Sequence, residues 1–130
     1  MHKPFIVIAF MLGALAVFLG AFGAHGLKNF VGAQQLITYE TAVRYQFYHV
    51  FAIALAGIIY KSIPTNKVRV AGRLFIAGIV VFSGSLYLMT ILAIFQVNNI
   101  GWIGAITPVG GAFLIAGWLL LAMEFHRKYN

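Results

Sequence analysis

The 130-residue chain predicts an all-α integral membrane protein folded as a four-helix bundle. Three observations carry that expectation. Hydrophobic residues make up 62% of the sequence and charged residues only 8%, against about a quarter charged in an ordinary soluble domain. Nine Lys and Arg stand against two acids, Glu40 and Glu124, and mean hydropathy is +0.95; so few charges cannot cover a soluble surface. Four apolar runs, at residues 5–24, 40–60, 74–95 and 101–123, are each near the roughly 20 residues that cross about 30 Å of hydrocarbon. Backbone groups in lipid must find partners within their own segment, so the runs are helices. The length leaves room for one domain, residues 1–130.

The first run follows Met1-His2-Lys3 and ends in AFGA, as a secretory signal would. Its length exceeds the 7–15-residue core of such signals, so it is read as a retained helix. Ala9 and Gly13 lie four apart, as do Ala16, Gly20 and Ala24. Lines of small residues let helix backbones approach closely in lipid. The connection HGLKNFVGAQQLITYE carries Leu27, Phe30, Val31, Leu36 and Ile37 and is expected to lie in the interface. Thr38 is a candidate cap for the second helix, placing Glu40 in its first turn, although a start nearer Ala33 is also open.

The second run, ETAVRYQFYHVFAIALAGIIY, is the only apolar run holding charge. Charged or imidazole groups at bilayer depth cost a few kcal/mol and call for a partner, a polar cavity or an interface. At about 100° per residue, His49 falls about 180° from Glu40 and Arg44 about 40° from it. Ala42, Ala52 and Ala56 cluster around Tyr45 and His49, an arc expected to face the other helices. Val43, Phe47, Val50, Phe51, Ala54 and Ile58 form the arc expected to face lipid. The geometry makes two sites. One is a Glu40–Arg44 pair at i,i+4 spacing, suited to a salt bridge at the outer interface, with His25 nearby. The other is a bundle-facing Tyr45–His49 pair, in which His49 is expected to bond a neighbouring Ser, Thr, Tyr or carbonyl, with proton relay as its alternative role.

Pro64, Thr65 and Asn66 mark a turn before the third run. That run repeats Ala71, Gly78 and Ser85 at seven-residue intervals, and Ser83 and Ser85 are expected to bond their own helix or a neighbour's backbone. Asn98, Asn99 and Gly101 mark the last turn. The fourth run has Gly104, Gly111, Ala112 and Ala116 on its packing line, and Pro108 is expected to kink it, freeing a carbonyl near Gly104 that Thr107 can bond.

Function classes fall away in turn. No cysteine excludes disulfides and thiolate chemistry. The four histidines match no zinc spacing, no metal or other cofactor is expected, and no nucleophile–base pair or phosphate loop is present. The net charge of +7 comes from bases at the ends of apolar runs, which fits membrane topology and anionic headgroups rather than nucleic acid. Lys3, Lys61, Lys67, Arg69, Arg73, Arg127 and Lys128 count to one side, against Lys28 on the other. Both termini are therefore expected in the cytoplasm.

The strings GAFGAHGLK, ETAVRYQFYH, FSGSLY and GAITPVGG, taken in order over essentially the whole chain, resemble a family of small bacterial membrane proteins of unknown function that has a short eukaryotic transmembrane relative. The resemblance implies a multi-pass protein of the plasma (inner) membrane with four spans and no established activity. It carries His25, Glu40, Arg44, Tyr45, His49, Ser83, Ser85, Thr107 and Pro108 as candidate pocket residues without assigned roles. The expected function is a non-enzymatic structural, assembly or lipid-interacting role with a polar pocket in the outer half. The partners would be membrane lipids, a second copy or another membrane protein. The alternative is a small oligomeric transporter or channel using His49 and Glu40.

Overall fold

The computed structural model describes all 130 residues, and every regular element is helical. Helix α1 covers Lys3–His25 and is followed by a 3-10 turn, Leu27–Asn29. Helix α2 runs over Ala33–Ile59. The third span is built from α3 (Asn66–Gly78), a π-helical turn (Ile79–Ser83) and α4 (Gly84–Ile94). The last comprises a single turn, α5 (Gly101–Gly104), and α6 (Thr107–Tyr129). The four resulting spans are long and apolar enough to cross a membrane.

Helix α2 starts seven residues before Glu40, directly after extended Gly32. Thr38 is therefore interior, not a cap: its hydroxyl donates to the Gln34 carbonyl at 3.1 Å, the back-bonding that lets a hydroxyl sit inside a helix. Helix α3 also starts early, at Asn66, because Thr65 caps it by accepting the Val68 N–H at 3.3 Å. Pro108 breaks the last span instead of kinking it. The chain turns at Ala105–Ile106, and proline occupies the first turn of α6, where its missing N–H costs no helical bond. The turn between the third and last spans is closed by two left-handed residues, Gln96 at φ 53° and Asn99 at φ 59°.

The helices do not surround a common axis equally. Helix α2 is the centre: α1 packs along one side of it and the third span along another, while α6 lies against α3 and the π turn. The α1–α2 seam uses Ala9, Ala16 and Gly23, all buried and seven apart, a coiled-coil spacing. Gly20 is only partly buried and Ala24 is exposed. On α6 the close contacts fall at Gly110 and Gly117 rather than on the expected line of Gly104 and Gly111. A Cβ on Gly110 would overlap the Phe82 backbone, and one on Gly117 would press the buried Phe75 ring at 2.7 Å. Phe5 of α1 fills the space over Gly72 of α3 in the same way. Val50, expected on the lipid face, is buried in this core.

Both termini lie at one end of the bundle. The His2 N–H donates to the Gly57 carbonyl at 2.9 Å, and the Lys128 ammonium donates to the Ser62 carbonyl. Lys3, Lys61, Lys67 and Arg127 gather there too, while the opposite end, at the His25–Gly32 and Phe95–Gly101 connections, holds Lys28 alone.

Candidate functional site

The polar residues of α2 separate by depth and by direction, and the separation decides what each can do. Nearest the Lys28 end, Tyr39 is buried, and its hydroxyl donates to the Leu19 carbonyl of α1 at 2.7 Å. Gly23 makes room for that ring, since a Cβ there would sit 2.6 Å from it. Two turns further along, Gln46 is 2% exposed. Its amide N–H donates to the Leu12 carbonyl of α1 at 2.9 Å, and its oxygen accepts the Tyr87 hydroxyl of α4 at 2.8 Å. Between them the Ser83 hydroxyl, from the π turn, donates to the Ala42 carbonyl at 2.8 Å. These bonds tie three spans together inside lipid, where a lost partner is not replaced by water.

His49 bonds a carbonyl, as expected, but one of its own helix rather than a neighbour's. It is buried, but its Nδ1 faces the Tyr45 carbonyl of its own helix at 2.7 Å, and its ring lies among Phe75, Trp118 and Tyr45. The imidazole packs against neighbouring spans and bonds to none of them. Tyr45 is 38% exposed and stacks on Phe82 at 4.5 Å between centroids, so it borders the bundle rather than pointing into it.

Ser85 donates to the Phe82 carbonyl, and it shares a 2.7 Å bond with the Thr107 hydroxyl at the start of α6. Ser83 and Ser85, two residues apart and so about 200° apart around a helix, meet α2 and α6 respectively. Thr107 thus bonds a side chain of the third span, not a freed carbonyl of its own. Pro108 is exposed, as is His25, whose carbonyl accepts a bond from Asn29.

Glu40 and Arg44 are both exposed and form no ion pair with each other. They line a groove of about 400 Å³ between α1 and α2, with Ala16, Gly20, Gly23 and Ala24 as its small-residue floor and Phe47 and Tyr48 on its wall. His49, Ser83, Ser85 and Thr107 do not line it. The nine candidates therefore do not make one pocket: two border a lateral groove, four make packing bonds or contacts within the bundle, Tyr45 covers its edge, and two sit at the surface.

Four residues with clear structural roles were not among the candidates: Tyr39, Gln46, Tyr87 and Glu124. Gln46 carried a signal, being a lone amide in an apolar run. Glu124 is 1% exposed at the other end of the molecule, held by Arg127 at 2.9 Å and Lys67 at 3.5 Å. No group of His, Asp and Glu in the bundle is arranged to hold a metal ion.

A family model described as a protein of unknown function (DUF423) matches residues 19–111. The UPF0382 membrane protein SSP2132 of Staphylococcus saprophyticus is 46% identical over 121 residues, which cover 93% of this chain and 95% of that protein. The UPF0382 membrane protein YwdK of Bacillus subtilis is 38% identical over 122 residues, 93% and 94% of the two chains. No solved structure matches the chain.

Proposed function

Because the chain belongs to the DUF423 family, with UPF0382 membrane proteins of Staphylococcus and Bacillus among its relatives, we propose a role drawn from the bundle's own chemistry. This multi-pass membrane protein is a non-enzymatic lipid-binding protein of the plasma membrane, with its basic end in the cytoplasm and the α1–α2 groove in the outer leaflet. The observation that carries the reading is the unpaired state of Glu40 and Arg44 on a groove formed between the two apolar spans α1 and α2.

Depth supports it. Lys61, the first base after α2, is taken as the edge of the hydrocarbon at the basic end. At 1.5 Å per residue, Arg44 stands about 25 Å from Lys61 and Glu40 about 31 Å, so the pair straddles the far edge of a core about 30 Å thick. A zwitterionic phospholipid has its phosphate next to the acyl chains and its ammonium beyond it. Arg44 is the deeper residue and Glu40 the shallower, so the order of charges matches. The guanidinium takes phosphate oxygens, the carboxylate takes the ammonium, and the small-residue floor receives an acyl chain.

The test is native mass spectrometry of the protein released from nanodiscs containing phosphatidylethanolamine and phosphatidylglycerol. The wild type is expected to retain phosphatidylethanolamine. Arg44→Gln should weaken that retention about tenfold, the loss of one charge-assisted contact, and Gly20→Leu should abolish it by filling the floor. Retention unchanged in both variants would overturn the proposal.

A further inference from the structure

The basic end holds a second cavity, separate from the α1–α2 groove. A cavity of about 400 Å³ lies between the α2–α3 connection and the end of α6, lined by Ser62, Thr65, Glu124, Arg127 and Lys128 among others. That volume is within the range of about 300–1,000 Å³ typical of ligand clefts.

Glu124 is the only acid at an end crowded with bases, and it is 1% exposed. Arg127 donates to its Oε2 at 2.9 Å. Its Oε1 accepts no well-formed hydrogen bond; the Lys67 ammonium stands 3.5 Å from it, and the Thr65 hydroxyl is the other donor beside the carboxylate. That ion pair is long and the Lys67 side chain is 57% exposed, so when Lys67 swings outward a hydroxyl from outside the protein can take its place on the oxygen. Arg127 and Lys128 are mostly exposed around it. The lining therefore offers two cations and one weakly satisfied acceptor, with net positive charge.

The geometry points to a binding site for an anionic lipid headgroup that combines a phosphodiester with a free hydroxyl, as in a phosphatidylglycerol. The phosphate sits between Arg127 and Lys128, and a headgroup hydroxyl donates to Oε1 of Glu124. Position favours a lipid over free phosphate. Glu124 follows the apolar stretch of α6 directly, about 25 Å along the helix from Thr107, and exposed Met123 and Phe125 flank it. A phospholipid in the adjacent leaflet places its phosphate at that level.

The experiment uses the full chain in phosphatidylcholine nanodiscs doped with phosphatidylglycerol, with phosphatidylmethanol (the same charge without the hydroxyl), or with neither, read by native mass spectrometry. The wild type should retain one phosphatidylglycerol at least tenfold better than phosphatidylcholine, and better than phosphatidylmethanol. Lys128→Ala, at an exposed side chain, should lower phosphatidylglycerol retention about tenfold. Glu124→Leu should erase the preference over phosphatidylmethanol while keeping the preference over phosphatidylcholine. If Glu124→Leu does not fold by circular dichroism, the wild-type headgroup comparison and Lys128→Ala decide. Equal retention of all three lipids, or retention indifferent to Lys128→Ala, overturns the site. Displacement of the lipid by millimolar inorganic phosphate overturns the lipid as its occupant. Arg44→Gln should leave phosphatidylglycerol retention intact and Lys128→Ala should leave phosphatidylethanolamine retention intact, so the two sites fail separately.

Discussion

Gln46 shows how a single polar side chain is tolerated at bilayer depth: both ends of its amide are used, each on a different neighbour. Interhelical hydrogen bonds in lipid are worth about 0.6–1.7 kcal/mol by double-mutant cycles. A Gln46→Leu, Tyr87→Phe cycle, measured by reversible unfolding in mixed micelles, should return a coupling in that range. The corresponding cycle with His49→Phe and Tyr87→Phe should return a coupling near zero, because His49 bonds only its own helix. Composition and periodicity located this polar run and correctly put Ala42, Ala52 and Ala56 on the packed face. They could not show which polar groups had partners. That depends on the positions of carbonyls on α1, such as Leu12 and Leu19, which belong to backbone geometry and leave no trace in residue identity.

At the scale of elements, the π turn and Gly110 form one unit. The bulged backbone at Phe82 is accommodated because α6 presents no side chain there. Gly110→Ala must push α6 away from the third span and should cost about 1–3 kcal/mol, as overpacking does. Gly111→Ala, whose Cβ would meet Phe82 at an ordinary 3.7 Å, should be neutral or should stabilise by up to about 1 kcal/mol through the unfolded chain. Thermal or denaturant unfolding of the two variants side by side measures the contrast. The existence of all four spans was legible from hydropathy, but three of their limits were not. Polar helical turns at Ala33–Tyr39, Asn66–Arg73 and Glu124–Tyr129 extend beyond the apolar runs, and hydropathy does not register a helix outside the hydrocarbon. The π turn was also hidden, because Ile79–Ser83 reads like any apolar helical segment.

For the molecule as a whole, the uneven distribution of bases sets the expected orientation. A green fluorescent protein fused after Asn130 should fluoresce, and alkaline phosphatase at the same point should be inactive. The reverse result would place the basic end outside and move the Glu124 cavity to the other leaflet. Sequence reading anticipated a Glu40–Arg44 ion pair because i,i+4 spacing permits one. The fold instead leaves both groups free beside α1, and the adjacent span supplies a groove that no property of α2 alone could reveal.

The central position of α2 also bears on how the protein is made. As the chain leaves the ribosome, α1 has no partner until α2 follows, and two of the polar bonds, from Tyr39 and Gln46, close within that first hairpin. The third span and α6 make a second hairpin, closed by Ser85 with Thr107 and by Phe75 over Gly117. Ser83 on Ala42, Tyr87 on Gln46 and Phe5 over Gly72 join the two hairpins. Biogenesis is therefore expected to divide into two insertion events and one docking step inside the bilayer. Halves cut within the exposed Lys61–Ser62 connection and expressed together should find each other and co-purify.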